Sequence, residues 1–237
     1  MNTFNKTLSR VTLVLGVTFM SAFQLYADDW KEIMYADPTI FVENGKYYLT
    51  GTRNQEPQGF AILESTDLEH WTVPDGTSLQ LILRKGDQTY GEKGFWAPQY
   101  FKDKRTYYFT YTANEQTVIA SSKSVFGPFR QKEVKPVDAS AKNIDSFLFK
   151  DDDGKYYLYH VRFNKGNYLW VAEFDIKKGS IKPETLKQCM DCTEPWEKTP
   201  NYKSAPVMEG PTVMKWDGVY YLFYSANHFM NIDYSVG

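Results

Sequence analysis

Residues 35–48 read YADPTIFVENGKYY, and this stretch contains the pattern from which the fold is predicted. An apolar segment that starts just after Asp37 leads into Asn44-Gly45, and an aromatic segment leads away from it. Asn-Gly between two apolar runs predicts a type I′ hairpin turn, because both central residues of that turn need positive φ. The stretch therefore predicts two antiparallel strands, with Asp37 at the start of the first.

The pattern recurs three more times along the chain. The later copies start at Trp96-Ala97-Pro98, Ile144-Asp145-Ser146 and Glu209-Gly210-Pro211, and each ends in a pair of tyrosines. The second motif residue and the first tyrosine are separated by 10 residues in three copies and by 11 in the copy around Asp145. Antiparallel units that repeat in register are typical of β-propeller blades.

Runs rich in β-branched and aromatic residues predict the other strands of each blade. Third strands are predicted in residues 60–65, 117–122 and 168–173, and short outer strands in residues 69–72 and 127–130. No segment after the N-terminal region has an extended 3.6-residue apolar period, so we expect almost no helix. A β-sandwich is the alternative all-β architecture, but it does not explain a repeated motif.

Charge and composition favour a neutral partner. The chain has 27 basic and 29 acidic residues and a net charge of −2, without the concentrated basic patch that nucleic acids or anionic membrane surfaces require. Aromatic residues make up 17% of the chain, which suits both strand-rich cores and the stacking of sugars. A carbohydrate is therefore a better candidate partner than a nucleic acid or a membrane.

The N-terminus predicts export. Lys6 and Arg10 precede an apolar run over residues 11–23, and Ala27 ends the segment. This is the pattern of a signal peptide, residues 1–27. An apolar run of 13 residues is shorter than the roughly 20 that span a bilayer. The mature chain is expected to be secreted or periplasmic.

Cys189 and Cys192 are the only cysteines of the chain. A C-x-x-C pair can serve in redox chemistry or as half of a metal site, but no second pair and no neighbouring βαβ pattern accompany it. A local disulfide in a surface loop is the favoured interpretation.

Three acidic residues occupy matching places in the repeats: Asp37, Asp145 and Glu209. Each alone is compatible with a turn former, a strand-end cap or a loop acid. The innermost strands of propeller blades line one channel, so together the three predict carboxyl groups that converge there. Like charges at close range oppose ionisation, an arrangement typical of an active site. In the aligned repeats Glu209 falls one residue before the position that Asp37 and Asp145 occupy, so a bulge or a strand end is expected there.

Four motifs carry a resemblance to a known family: ADPTI at residues 36–40, FWAPQ at 95–99, NIDS at 143–146 and MEGPT at 208–212. In this order they resemble glycoside hydrolase family 43, over about residues 30–237. The resemblance implies an all-β, five-bladed β-propeller with about four blades in this chain. Residues 28–237 would then be a catalytic domain whose last blade is missing.

The resemblance also implies the site. Asp37 would be the general base, Asp145 the residue that orients and tunes the acid, and Glu209 the general acid of an enzyme that cleaves arabinofuranosyl or xylosyl linkages with inversion. Inversion needs roughly 6.5 to 9.5 Å between the carboxyl groups so that water fits between base and sugar. Trp96 is the candidate substrate-binding wall, although a core position between blades is equally compatible. His228 is expected in a loop without a role.

No cofactor is expected for the chemistry and no metal ligands are predicted in this chain. The resemblance implies that a calcium or sodium ion can lie on the propeller axis of the complete protein. The alternative functions are a carbohydrate-binding propeller without turnover and another five-bladed carbohydrate enzyme, such as a fructosidase or a mannoside phosphorylase.

Overall fold

The computed structural model of the protein describes residues 33–74, 79–201 and 206–237. The predicted signal peptide lies outside these residues. Across the described ranges the structure is almost entirely β, with single-turn 3₁₀ helices at Pro183–Thr185 and Pro195–Glu197, so the predicted scarcity of helix is confirmed. No helix in this part of the chain has the length and apolar character that crossing a membrane requires.

The strands of the described residues are β1 Ala36–Glu43, β2 Lys46–Thr52, β3 Gly59–Ala61, β4 Leu63–Ser65, β5 Leu81–Arg84, β6 Trp96–Asp103, β7 Thr106–Ala113, β8 Gln116–Ser122, β9 Asn143–Lys150, β10 Tyr156–Phe163, β11 Asn167–Asp175, β12 Ser180–Ile181, β13 Lys187–Gln188, β14 Met208–Trp216, β15 Val219–Ala226 and β16 Ser235–Val236.

Fourteen of these strands form four antiparallel blades in chain order, and β3 and β5 form a separate two-stranded sheet. Blade 1 is β1-β2-β4, blade 2 is β6-β7-β8, blade 3 is β9-β10-β11 with β12 and β13 outside, and blade 4 is β14-β15-β16. The innermost strands pack side by side, β1 on β6, β6 on β9 and β9 on β14. Successive blades of a propeller are arranged in this way around an axis, and the predicted fold class is confirmed. The predicted loss of a last blade concerns sequence outside this chain and stays a prediction.

The inner hairpins of blades 1 and 4 have the predicted turn geometry. Asn44 and Gly45 have φ values of 51° and 76°, and Asp217 and Gly218 have φ values of 49° and 78°. Positive φ at both central residues is the property that selects Asn-Gly and Asp-Gly for such turns. The turns fix the register of each hairpin, so the motif residues at the far ends of the inner strands come to matching heights.

The predicted third strand of blade 1, residues 60–65, is wrong as a single element. Its first half, β3, pairs with β5, and only its second half, β4, pairs with β2. Gly59 allows this close pairing, because a Cβ atom there would lie 2.1 Å from the carbonyl oxygen of Leu83. The predicted third strands of blades 2 and 3 are confirmed as β8 and β11.

The predicted outer strands are also shorter than expected. Residues 69–72 and 127–130 contribute only isolated bridges, Glu64 with Thr72 and Ser121 with Arg130. Backbone of positive φ lies at the start of each segment: Leu68, just before the first, has φ of 69°, and Gly127, in the second, has φ of 70°. Single bridges therefore replace outer strands in blades 1 and 2.

An aromatic core joins blades 1 and 2. Phe60, Phe109 and Tyr111 are fully buried in it, and the rings of Phe60 and Phe109 meet edge-on with centroids 5.1 Å apart. Burial of each such side chain contributes about 1.5–3 kcal/mol. This core holds β6 and β7 in place, and so positions Trp96, the first residue of β6. It also accounts for much of the high aromatic content.

Cys189 and Cys192 do not form the predicted disulfide. Both side chains are half-buried and pack against the apolar cluster that contains Leu169 and Met208, beside Trp196. Burial raises the pKa of Cys189 to about 11, so this thiol is protonated in neutral solution. The two cysteines contribute to the packing between blades 3 and 4, which their spacing alone does not reveal.

Candidate active site

Each innermost strand has a bulge at its motif. Pairing with the second strand shifts register at this place in all four blades. The bulged residue has positive φ in every blade: 48° at Asp37, 44° at Ala97, 50° at Asp145 and 62° at Gly210. An extra residue of this kind re-aims neighbouring side chains and is common next to active sites.

The bulge explains why Glu209 is offset by one residue. Gly210 is the counterpart of Asp37 and Asp145, and Glu209 is the last paired residue before the bulge, opposite Ser225. Trp96 has the equivalent place in blade 2, opposite Thr112. Blade 4 therefore supplies its acid from the position that holds Trp96 in blade 2, and the bulge expected at Glu209 is confirmed.

Two threonine hydroxyls connect the motifs of neighbouring blades. The hydroxyl of Thr52, in β2, donates to Oδ2 of Asp37 at 2.6 Å and accepts the N–H of Ala97 at 2.9 Å. In blade 2 the hydroxyl of Thr112 accepts the N–H of Asp145 at 3.0 Å. These buried hydroxyls fix the bulges of blades 1 to 3 relative to one another.

Asp145 makes the next connection with its own side chain. The residue of blade 3 that corresponds to Thr52 and Thr112 is Val161, which pairs next to the bulge and has no hydroxyl. Instead, Oδ2 of Asp145 accepts the N–H of Gly210 at 3.2 Å. The carboxyl group of Asp145 is thereby held against the residue that follows Glu209.

The environment of Asp145 disfavours its charged form. Burial, followed by the negative charges of Glu209 and Asp37, raises its pKa to about 8, although the N–H of Gly210 acts in the opposite direction. Asp145 as a whole residue is partly accessible to solvent. The predicted convergence of the three acids is therefore a property of the structure, because their charges act on one another.

Glu209 is half-buried, and its pKa is raised as well. Burial is the largest cause and the charge of Asp37 adds to it, while a hydrogen bond from Tyr234 and the charge of His228 lower it. In the substrate-free site the larger shift thus lies on Asp145 and not on the predicted acid. Burial thus favours the protonated form of both Asp145 and Glu209.

Tyr234 is a site residue that the sequence did not indicate. Its hydroxyl donates to Oε1 of Glu209 at 3.0 Å and forms a hydrogen bond with Ser225. Tyr234 follows Glu209 by 25 residues and lies in no repeat motif, so only folding of the β15–β16 connection brings the two together. His228 was expected to have no role, yet it is close enough for its charge to act on Glu209.

Trp96 lies at the same end of the propeller as the three acids. It is half-buried, belongs to none of the apolar clusters in the described residues, and lines an open groove. This location favours a role of Trp96 in the wall of the substrate site over a core position between blades. Its contact with a sugar stays a prediction.

The described residues contain no group of three or more histidine, cysteine, aspartate or glutamate side chains that could hold a metal ion. Asp37, Asp145 and Glu209 do not form such a group either. The axial ion that the resemblance implies for the complete protein stays a prediction.

Residues 31–236 match the family model described as Glycosyl hydrolases family 43. Among curated proteins, the chain is 28% identical over 232 residues to extracellular endo-alpha-(1->5)-L-arabinanase 1 of Bacillus subtilis (strain 168). It is 29% identical over 204 residues to a xylosidase/arabinosidase of Butyrivibrio fibrisolvens. Among solved structures, an endo-1,4-beta-xylanase from Bacteroides thetaiotaomicron matches with a TM-score of 0.76 at 42% identity.

These alignments cover most of this chain but only part of each relative. They span 92% of this chain and 68% of the arabinanase, 81% of this chain and 37% of the xylosidase/arabinosidase, and 86% of this chain and 67% of the xylanase. The family model accounts for nearly all the described residues and for all four motifs. The protein is therefore a glycoside hydrolase and belongs to glycosyl hydrolases family 43.

Proposed function

We propose that the protein is an exported, inverting glycosidase that cleaves arabinofuranosyl or xylosyl linkages of plant-type polysaccharides or oligosaccharides. The observation that carries the proposal is the pairing of an accessible carboxyl group, Asp37, with a half-buried one, Glu209, at the same end of facing blades. Two carboxyl groups in different environments are what glycoside hydrolysis requires.

Asp37 acts as the general base in this proposal. Its carboxylate takes a proton from a water molecule, which attacks the anomeric carbon on the face opposite the departing group. The hydroxyl of Thr52, 2.6 Å from Oδ2, holds the carboxylate in one orientation and leaves the other oxygen for the water. A positioned base of this kind contributes roughly 10²- to 10⁴-fold to the rate.

Glu209 acts as the general acid. It donates its proton to the glycosidic oxygen while the bond from that oxygen to the anomeric carbon breaks, so the leaving sugar departs as a neutral alcohol. Its raised pKa supports this role, because an acid must be protonated before it can donate. Asp145 accepts the N–H of Gly210, the residue that follows the acid, and so helps to orient Glu209.

Inversion and the type of sugar are supported by different observations. Inversion follows from a water molecule between base and sugar, with roughly 6.5 to 9.5 Å between the carboxyl groups. The sugars follow from the relatives, which are described as an endo-arabinanase, a xylosidase/arabinosidase and an endo-xylanase. Export is supported by the N-terminal pattern of residues 1–27 and by a relative described as extracellular.

The test is hydrolysis of nitrophenyl α-L-arabinofuranoside and nitrophenyl β-xyloside, together with arabinan and xylan. The anomer that forms first is identified by NMR before mutarotation. We expect release from at least one pentoside or pentan, with a first product of inverted configuration. Binding to arabinan or xylan without reducing-sugar release would show a binding propeller instead, and a first product of retained configuration would contradict the assignment of Asp37.

A further inference from the structure

A groove of about 570 Å³ opens beside Trp96, within the size range of small-ligand pockets. It is lined by loop residues 54–58 between β2 and β3, by residues 92–94 just before β6, by Trp96 and by turn residues 114–115 between β7 and β8. All these segments lie at the end of blades 1 and 2 where the inner strands carry their motifs. The groove is therefore on the same face of the molecule as the three acids.

The groove connects directly with the position of the base. Trp96 is followed by Ala97, whose N–H donates to the same Thr52 hydroxyl that donates to Asp37. Asn54, on the opposite wall, is two residues from Thr52. A polysaccharide that leaves the site on the side of Asp37 would therefore pass over Trp96 into this groove.

The indole of Trp96 is held in place by a glycine. A Cβ atom on Gly94 would lie 3.0 Å from Cζ2 of Trp96, so the ring lies against bare backbone at this point. Gly94 also has φ of 67°, a conformation that few other residues adopt readily. The ring is thus pre-oriented, with its remaining surface available to the groove.

Hydrogen bonds hold both walls. Oδ1 of Asn114 accepts the N–H groups of Glu92 and Lys93 at 3.1 and 3.2 Å, and the N–H of Asn114 donates to the carbonyl oxygen of Lys93 at 2.9 Å. On the other side, Arg53 is only 6% exposed and donates to the carbonyl oxygen of Pro57 at 3.0 Å. Walls fixed in this way lose little entropy when a ligand binds.

The lining is chemically suited to a neutral sugar. The side-chain amides of Asn54 and Gln58 form no hydrogen bond within the described part of the chain, so both are free to bind hydroxyl groups. An aromatic ring with a few polar groups around it is the usual composition of a carbohydrate site.

The charges of the lining argue against an acidic sugar. Three carboxylates, Glu56, Glu92 and Glu115, line the groove against one ammonium group, Lys93. Glu92 and Glu115 pair with Lys85 and Lys142, which lie outside the lining. With these two lysines included, the groove has as many ammonium groups as carboxylates, so it lacks the net positive charge that would attract a uronate.

We infer that this groove is a distal subsite for a neutral glycosyl residue of a chain that extends beyond the cleaved bond. The inference rests on the proposed function and adds to it: the enzyme would act on chains in preference to single glycosides. None of the three acids lines the groove, so the contribution of the groove to ligand binding can be measured without turnover.

The test is calorimetric binding of linear arabino- and xylo-pentasaccharides to the Glu209→Gln protein, with and without Asn54→Ala/Gln58→Ala. Loss of the two amides is expected to weaken pentasaccharide binding about tenfold. The matched control, Glu184→Ala/Lys187→Ala, changes two exposed residues on the outer side of blade 3 and also keeps the net charge; it should bind like the parent. Thermal melting checks that each variant folds.

Equal affinity in the Asn54/Gln58 variant and its parent would overturn the inference, and so would the absence of pentasaccharide binding by the parent. Tighter binding of a uronate-bearing oligosaccharide than of the neutral ones would overturn it as well. Failure of the proposed function has a separate signature, because the unsubstituted protein would then bind these chains without cleaving them.

Discussion

Asp37 and Glu209 are carboxyl groups at the same end of facing inner strands, but their surroundings differ. Asp37 is exposed and accepts one hydrogen bond from Thr52. Glu209 is half-buried, accepts one from Tyr234, and has a raised pKa. An accessible carboxylate suits a base that must reach water, and a buried carboxyl group suits an acid that must keep its proton. The difference between the two environments supports the two proposed roles.

The bulge in each inner strand creates this difference from one repeated motif. Blade 1 uses the bulged residue itself, whereas blade 4 has Gly210 there and uses the residue before it. Blade 2 has Ala97 at the bulge and Trp96 before it. One local geometry therefore offers two positions for a functional side chain, and each blade fills them differently.

The largest effect is expected from removal of the base. Asp37→Ala should lower kcat about a thousandfold, because no other accessible carboxylate is positioned for the water. The measurement is kcat on the substrate identified by hydrolysis assays. Glu69→Ala, another exposed acid, is the control and should behave as the unsubstituted protein does. More than a tenth of the activity left in Asp37→Ala would contradict the role of Asp37.

A smaller loss is expected from Thr52→Val, which keeps the shape of the side chain but removes the hydroxyl. Both the hydrogen bond to Asp37 and that from Ala97 disappear, so kcat should fall about tenfold through a poorly oriented base. Thr50→Val on the same strand is the matched control. The Thr50 hydroxyl is buried without a hydrogen-bond partner in the described residues, so its loss should leave kcat and Tm unchanged or raise Tm slightly.

Tyr234→Phe tests the surroundings of Glu209. The Tyr234 hydroxyl lowers the pKa of Glu209, so its removal should raise that pKa and move the alkaline limb of the kcat/KM profile upward by roughly 0.5 to 1 pH unit. Tyr221→Phe, an exposed tyrosine of the same blade, should leave the profile in place. A downward shift in Tyr234→Phe would mean that the tyrosine has a different role.

The smallest effect concerns stability and comes from Asp145. Its pKa is raised in the folded state, so the folded protein binds this proton more tightly than the unfolded chain. The associated stabilisation is present below the ordinary pKa of 3.8 and is lost as the pH rises through about 8. The Tm of the unsubstituted protein should therefore fall more steeply over this range than that of Asp145→Asn, because each unit of pKa shift corresponds to about 1.4 kcal/mol of stability.

Scanning calorimetry across the pH range measures this difference. Asparagine retains an oxygen that can accept the N–H of Gly210, so folding itself should be preserved. Parallel Tm curves for the two proteins would show that Asp145 ionises normally.

The repeats were sufficient to predict the inner hairpins, the all-β propeller and the three acids. Turn geometry and strand alternation are local, and a fourfold repeat makes equivalent residues meet around one axis. The offset of Glu209 from the other two acids predicted a bulge or a strand end, and packing selects the bulge.

Contacts between distant segments were not predictable in the same way. Tyr234 reaches Glu209 only through the path of the β15–β16 connection, and β3 leaves its blade because Gly59 permits close pairing with β5. The cysteine pair has the spacing of a disulfide, yet both thiols are free and pack against the apolar cluster that contains Leu169 and Met208. In each case the sequence pattern is compatible with several structures, and packing selects one.

The most direct test of the two roles compares leaving groups in Glu209→Ala and Asp37→Ala. A dinitrophenyl glycoside needs little protonation to depart, whereas an unsubstituted phenyl glycoside needs much more. Glu209→Ala should lose about a thousandfold in kcat/KM on the phenyl glycoside but only about tenfold on the dinitrophenyl one, while Asp37→Ala should lose about the same on both. Equal losses on the two substrates in Glu209→Ala would contradict the assignment of Glu209 as the acid.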